Sequence, residues 1–430
     1  MAAHAHLLSN GNVLFWPSFG NGNNPTLWNP VTNTFTNLPK AAYNIFCSGH
    51  STLQDGRLFV AGGHAGNQSD GLISSTVYDP TLNTWTKMSD MNAPRWYPTN
   101  TTLPNGDVLV VSGYTTTGNF NTLPQIWHSA TNTWLGLTNA QLMQPLYPMM
   151  FLAPNGNVFN AGPSQVTRFL NTSGTGAWTT VGNLNYAGTR DYGSAVIFDG
   201  KVLVAGGDGS TTGPATKTAE MIDLTATTPT WLSTSSMSIA RRQFNLTILP
   251  DGKLLASGGS GGFGFDNQNL PIYPAEMWDP ATGTWTTMDS ISVYRGYHST
   301  ALLLPDGRVL SAGGEQTGAS AEIYSPPYLF KGARPTITSG PSSVTYGQVF
   351  SVATPDAANI SQVTWIRLGS VTHSFNQNQR LNHLQFAQGT GGLNITAPGS
   401  ANLAPPGHYM LFLINSNGVP SVASIIQITP

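Results

Sequence analysis

The chain has 430 residues, with 17 Lys or Arg and 19 Asp or Glu, so charged residues make up 8% of it and the net charge is −2, against roughly 25% charged residues in an ordinary globular domain. With no basic cluster and no apolar run of the roughly 18 residues that span a bilayer, nucleic acid and membrane are excluded as partners, and the single cysteine, Cys47, excludes an intramolecular disulfide and any Cys-rich zinc site. Gly 47 and Pro 30 interrupt Val, Leu, Thr and Trp runs too short for ordinary helices, which predicts an all-β fold with many turns.

The start, MAAHAHLLSNGNVLF, lacks the basic and long apolar segments of a secretory leader. From residue 6 onward one pattern recurs: an apolar run, Asn-Gly or Asp-Gly, and a second apolar run that in most copies closes on glycine. It reads HLLSNGNVLFW (6–16), HSTLQDGRLFVAGG (50–63), TNTTLPNGDVLVVSG (99–113), MMFLAPNGNVFNAG (149–162), SAVIFDGKVLVAGG (194–207), NLTILPDGKLLASGG (245–259) and STALLLPDGRVLSAGG (299–314). Each Asn/Asp-Gly is the signal of a type I′ hairpin. The turn glycines, Gly11, Gly56, Gly106, Gly156, Gly200, Gly252 and Gly307, are 45, 50, 50, 44, 52 and 55 residues apart, close to the roughly 50-residue kelch period.

Most copies continue into a second strand pair, as in STVYDPTLNTWTKM (75–88), PQIWHSATNTWLGL (124–137) and AEMWDPATGTWTTM (275–288). Seven four-stranded units of this kind predict a seven-bladed kelch-type β-propeller over residues 1–332. The last unit stops at AEIYSPPYLF (321–330) without a Trp-bearing fourth strand. Beyond it the repeat is lost, and the runs QVFSVAT, SQVTWIRLGS and HYMLFLINS predict an immunoglobulin-like β-sandwich over residues 333–430.

Nine residues before each turn glycine the copies place Ala2, Cys47, Tyr97, Tyr147, Asp191, Gln243 and His298, with Tyr297 beside the last. Equivalent positions at the starts of innermost strands share one face of a propeller. A core there would be Val or Leu; a thiol, phenols, a carboxylate, an amide and an imidazole mark a site. Imidazole nitrogen and phenolate oxygen suit Cu(II), which prefers tetragonal N/O coordination. His4 and His6 read as structural or surface residues, and His50 as strand core or a supporting residue. His64, His128, His383 and His408 lie in or near loops without a partner at ligand spacing, and His373 lies on an expected hairpin of the second domain.

NIFCSGH (44–50), RWYP (95–98), RGYHSTALLLPDGRV (295–309), VTHSFNQNQR (371–380) and PPGHYMLFLINSNGVPSVA (405–423) together resemble the copper radical oxidases, the galactose oxidase and glyoxal oxidase group, and stand nearer its glyoxal oxidase members. The resemblance implies one copper ion held by Tyr97, Tyr297, His298 and His373. It also implies a Cys47–Tyr97 thioether that carries a radical, with Tyr297 as base and neither nicotinamide nor flavin. The expected reaction is oxidation of a small aldehyde, as its hydrate, or of a primary alcohol by O2, with release of H2O2, by a secreted monomer whose leader has been removed. In galactose oxidase a tryptophan on the loop after the radical tyrosine's hairpin covers the thioether. Here that loop reads SGYTTTGNF (112–120), which leaves Tyr114 or Trp96 to cover it.

Around the same mouth, Trp96, Tyr114, Tyr147, Arg242 and Gln243 are the candidate substrate contacts, with Asp191 and Arg190 beside them. Arg242 or Gln243 could hold a second substrate oxygen, or the arginines could pair with Asp191 or cap strand ends. The competing class is a non-catalytic kelch module, which would leave the convergence of Cys47, Tyr97, Tyr297 and His298 unexplained. Sequons at Asn67, Asn100, Asn171, Asn245, Asn359 and Asn394 add weak support for secretion.

Overall fold

The computed structural model describes residues 2–66, 69–208, 213–315 and 319–430; the Asn67 sequon lies outside them. The chain is all-β: among the described residues the helical elements are four 3₁₀ turns of three or four residues. No helix among them is long and apolar enough to cross a membrane.

Every Asn/Asp-Gly repeat forms an antiparallel hairpin whose glycine has φ between 75° and 88°, a conformation that glycine adopts without steric cost. The turn type differs from the type I′ expectation in six of the seven. In the second copy Leu53 N–H bonds to Arg57 C=O and Gly56 N–H to Leu53 C=O, which is a three-residue loop with glycine in the left-handed bulge position. The same pair of bonds recurs in the other copies except the fifth. There Phe198 pairs with Lys201, and Asp199 and Gly200 both have positive φ, 45° and 75°, as a two-residue type I′ turn requires.

The first six hairpins extend into four antiparallel strands each, as in Gly49–Thr52, Leu58–Ala61, Ser75–Asp79 and Thr84–Lys87; among the described residues the seventh has three, Ser299–Leu303, Val309–Gly313 and Ala321–Tyr324. Second strands such as Leu58–Ala61 and Val108–Val111 are apolar and fully buried, whereas outer strands such as Thr84–Lys87 are largely exposed. Sheets pack face to face through aromatic pairs: Phe59 stacks on Trp127 of the next sheet at 4.2 Å between centroids. The innermost strands of the second, third and fourth sheets lie side by side, as do those of the fifth, sixth, seventh and first.

Residues 343–429 form two further sheets around an apolar core that includes Phe350, Trp365, Leu393, Tyr409 and Leu411. This part reaches inward twice. Ser370–Thr372 pairs with the innermost strand of the first sheet, His4–Leu7, and Arg380–His383 pairs in parallel with the innermost strand of the fifth, Ser194–Phe198.

A buried arginine recurs two residues before Tyr97, Tyr192, Gln243 and Tyr297. Arg95, Arg190, Arg241 and Arg295 donate to the carbonyls of Ser112, Gly206, Gly258 and Gly313 at 2.8, 2.9, 3.1 and 2.6 Å, at the ends of the second strands. On the third strand each finds a further partner: Gln125, Glu220, Glu276 or Glu322. Arg190–Glu220 and Arg241–Glu276 are fully buried pairs at 2.6 Å. Removing one member leaves an uncompensated charge in a low-dielectric interior, at a cost of about 3–5 kcal/mol. Glu276→Leu should therefore lower the unfolding temperature by several degrees, and the double variant Arg241→Leu/Glu276→Leu should recover much of the loss, both read by thermal denaturation.

Candidate active site

The residues expected at the strand starts share a backbone feature. Cys47, Tyr97, Tyr147, Gln243 and His298 have φ of 62°, 65°, 44°, 55° and 61°, the left-handed region that costs a residue with a Cβ roughly 1–2 kcal/mol. In the fifth copy the residue with this conformation is Tyr192, at 51°, and not Asp191. The two-residue turn at Asp199-Gly200 removes one residue from the count, so a nine-residue offset falls one position short. Tyr97, Tyr147 and Gln243 donate their N–H to the carbonyls of Cys47, Tyr97 and Tyr192, at 2.8, 2.9 and 2.8 Å. These bonds offset part of the strain and link successive starts.

The side chains converge. Tyr97 and Tyr297 join hydroxyl to hydroxyl, and His298 Nε2 lies 3.4 Å from Tyr97 Oη. His373 comes from the other end of the chain. It occupies the tip of the hairpin formed by Ser370–Thr372 and Phe375–Asn376, with φ of 47° at His373 and 69° at Ser374. Thr372 Oγ1 donates to Ala3 C=O at 2.9 Å and Ser194 Oγ to Ser374 C=O at 2.6 Å, which anchors this tip between two sheets. The His373 ring is 4.3 Å from Tyr97 and 4.4 Å from His298, centroid to centroid.

Hydrogen bonds set both imidazoles up as ligands. His298 Nδ1 bonds to Glu315 Oε1 at 2.6 Å, so its proton sits on Nδ1 and its lone pair on Nε2. Thr372 Oγ1 spends its own proton on Ala3 and therefore accepts from His373 Nδ1, at 2.5 Å, which leaves the lone pair on His373 Nε2. That atom is buried and has no hydrogen-bond partner. Burial holds both imidazoles below their ordinary pKa, hence neutral, against an opposing pull from Glu315 on His298. Among the described residues no group of three or more His, Cys, Asp or Glu side chains converges; two imidazole nitrogens and two phenol oxygens do. This N2O2 donor set with an orphaned buried nitrogen fits Cu(II).

Cys47 is a free, fully buried thiol in one apolar cluster with Tyr97, Tyr147, Phe46 and Ala3. Burial pushes its pKa up, while a hydrogen bond to Tyr97 pulls the other way; burial also raises both phenols, Tyr97 and Tyr297. Trp96 lies flat on Tyr97, with 3.5 Å between centroids and 7° between planes, and Tyr114 runs parallel to Trp96 at 5.9 Å. The indole N–H donates to His64 Nδ1 at 3.1 Å. Of the two aromatics considered as covers, Trp96 makes the contact and Tyr114 extends the stack.

Above these groups opens a cavity of about 410 Å³, walled by Phe19, Phe46, Trp96, Tyr114, Tyr192 and Phe265. A second, of about 280 Å³, reaches Tyr97 and His373 past Tyr147 and Asp191. Arg242 and Gln243 line neither. The Arg242 guanidinium is fully buried, bonded to Asp208 at 2.5 Å, Gly264 C=O at 3.0 Å and Asp191 at 3.3 Å, so it ties down the loop that carries Phe265. Arg190 has its strand-end role instead. His4, His6 and His50 are buried beneath the site, not on the surface. The sequons at Asn100 and Asn245 are buried as well, which removes them as glycan sites.

Sequence spacing missed Tyr192, Glu315 and the Phe19–Phe265 rim. Only Tyr192 left a signal, in the shorter Asp-Gly hairpin of the fifth copy.

The family model of the glyoxal oxidase N-terminus matches residues 25–175 and 205–324, and that of the galactose oxidase-like early set domain matches residues 334–428. A galactose oxidase of Gibberella zeae is 31% identical, over 100% of this chain and 69% of its own length. The aldehyde oxidase GLOX of Vitis pseudoreticulata is 29% identical, over 91% of this chain and 83% of its own. Among solved structures, a fungal alcohol oxidase in complex with copper superposes with a TM-score of 0.91 at 27% identity, over 100% of this chain and 97% of its own.

Removing a group that orients a metal-binding imidazole costs about 10- to 100-fold in affinity, and removing the imidazole costs more. Glu315→Gln should weaken copper binding within that range and His373→Ala beyond it, as measured by competition titration against a chelator, with Asp107→Asn, far from the site, as the unaffected control.

Proposed function

The chain belongs to the galactose oxidase and glyoxal oxidase family of copper radical oxidases, and we propose that its seven sheets close into a propeller around a channel that residues 333–430, an immunoglobulin-like sandwich, enter with His373. The bond from Thr300 Oγ1 to Ala2 C=O, at 3.3 Å, supports closure of the seventh sheet onto the first. The protein is an oxidoreductase that uses copper and acts on a small molecule with O2 as acceptor.

In the proposed reading, Tyr97, Tyr297, His298 and His373 hold the copper ion and Cys47 is joined to Tyr97 through a thioether. The observation that carries it is the unpartnered, buried Nε2 of His373 facing two phenols and a second imidazole. Copper, when bound, supplies a Lewis acid for the substrate oxygen and one of the two one-electron acceptors. Tyr297 Oη takes the proton of the substrate hydroxyl as general base. Tyr97, once joined to Cys47, would supply the second one-electron acceptor, with its Oη placed to take up the hydrogen of the adjacent carbon. The flat contact of Trp96 shields that ring from water. The balance is RCH2OH + O2 → RCHO + H2O2, and an aldehyde hydrate gives the acid in the same way.

The cavity wall argues about substrate. Phe19, Phe46, Trp96, Tyr114 and Phe265 offer apolar faces, and the nearest guanidinium, Arg242, is engaged elsewhere. Primary alcohols or aldehydes with an apolar or aromatic skeleton fit this wall better than a sugar does. Release of peroxide, and a surface with few charges, support an extracellular setting.

A peroxide-coupled assay of the copper-loaded protein should show higher kcat/KM for an aryl-methanol than for galactose; no peroxide from any alcohol or aldehyde would reject the reading. Cys47→Ser should keep the fold and bind copper within a few-fold of wild type, yet lose turnover by on the order of 10³-fold, about 4 kcal/mol of barrier. Phe265→Ala should raise KM for the aryl substrate and leave that for a two-carbon aldehyde nearly unchanged.

A further inference from the structure

The linking of strand starts does not reach Cys47. Where Tyr97, Tyr147 and Gln243 each give their N–H to the carbonyl of the start before them, the carbonyl before Cys47, that of Ala2, is occupied by Thr300 Oγ1. The Cys47 N–H goes to a side chain instead: it donates to His4 Nε2 at 3.0 Å. His4 is the first residue of the innermost strand of the first sheet and is fully buried. Its ring is fixed by stacking on Trp16, 4.7 Å away at 13°, and Trp16 is pinned in turn by donation from its indole N–H to Ile45 C=O at 3.0 Å. The arrangement ties Ile45, two residues before Cys47, and the peptide N–H of Cys47 itself to one pair of stacked rings.

Cys47 needs such a tie. Its φ of 62° is unfavourable for any residue with a Cβ, and without it the thiol would leave the Tyr97 cluster. We propose that His4 is a positioning residue for formation of the thioether: its Nε2 holds the Cys47 peptide in the left-handed conformation that keeps Sγ against the Tyr97 ring. This rests on the reading that the two side chains become joined. In the joining step the Cys47 S–H and one Tyr97 ring C–H break and one S–C bond forms. Two protons and two electrons leave and are taken up by O2, which becomes H2O2. The product is two hydrogen atoms lighter than the precursor.

The test follows that mass. Wild type, His4→Phe and His4→Gln, purified without copper, are given copper and air, and the lighter species is timed by intact-protein mass spectrometry, with thermal denaturation and copper titration alongside. His4→Phe keeps a flat ring for Trp16 but no acceptor, and should slow the loss of hydrogen about tenfold with copper affinity unchanged. His4→Gln restores a side-chain acceptor and should return most of the rate. His4→Leu stands in should His4→Phe not fold. Joining at the wild-type rate in the variant without an acceptor overturns the proposal, as does a His4→Gln rate no faster than that variant's. A wild type that never becomes lighter rejects the thioether itself, an outcome distinct from either.

Discussion

The left-handed backbone just before six of the seven innermost strands is the constraint from which the site follows. An L-residue avoids that region because its Cβ meets the neighbouring carbonyl, and a run of six such residues with bulky side chains would not persist alone. Here the strain is offset locally: the N–H that the twist exposes meets the carbonyl exposed by the same twist in the sheet before it, at Tyr97, Tyr147 and Gln243. At these three starts one sheet therefore holds the next in its strained form, and the twist that costs energy also turns Tyr97, Tyr147, Tyr192 and His298 away from the sheet plane toward their shared centre. Strain held in place by a whole fold and spent at a site is a recognised use of such conformations.

The buried arginines do for the strand ends what those bonds do for the starts. A charge-poor chain that places Arg95, Arg190, Arg241 and Arg295 in full burial commits a large part of its few cations to structure. Each guanidinium spans three strands, from the segment before a site residue to the carbonyl closing the second strand and on to the third. A planar, permanently charged fork can satisfy several acceptors at once, which a lysine cannot. Arg242, one residue further along, applies the same chemistry to a loop: its bonds to Asp208 and Gly264 hold Phe265 edge-on to Tyr297 at 4.5 Å.

Much of this was legible in the sequence because the repeat reports on its own register. Glycine at a fixed place in a hairpin lets strands be aligned without coordinates, and that alignment brought Cys47, Tyr97, Tyr147 and His298 together correctly. It failed by one residue in the fifth copy, where VIFDGKV is a shorter loop than TLQDGRL, and so Asp191 stood in for Tyr192. It was also silent on contacts that depend on loops. Glu315, Phe19 and Phe265 lie outside the repeat, and their roles come from where the loop lands. The arginine neighbours misled for a different reason: a cation beside a site reads as a substrate anchor until its acceptors are seen. The resemblance had already named His373, whose own spacing offered nothing, since its place depends on a pairing between residues 4–6 and 370–372 that no local pattern reveals.

That distant pairing explains how a second imidazole can be added to the repeats without breaking them. The seventh sheet already supplies both Tyr297 and His298, and none of the other aligned positions before the innermost strands carries an imidazole. The hairpin of residues 370–376 brings its own tight turn, and His373 repeats at that tip the conformation used around it, with φ of 47°. Both imidazoles then meet the phenols neutral and with the lone pair on Nε2, one oriented by a carboxylate and the other by a hydroxyl already bound to the backbone. The two orienting groups differ in strength as acceptors. A carboxylate makes His298 the more basic ligand, whereas Thr372 leaves His373 the less basic one. In the proposed centre this asymmetry makes the C-terminal imidazole the weaker donor, held in place chiefly by the fold around the hairpin that carries it.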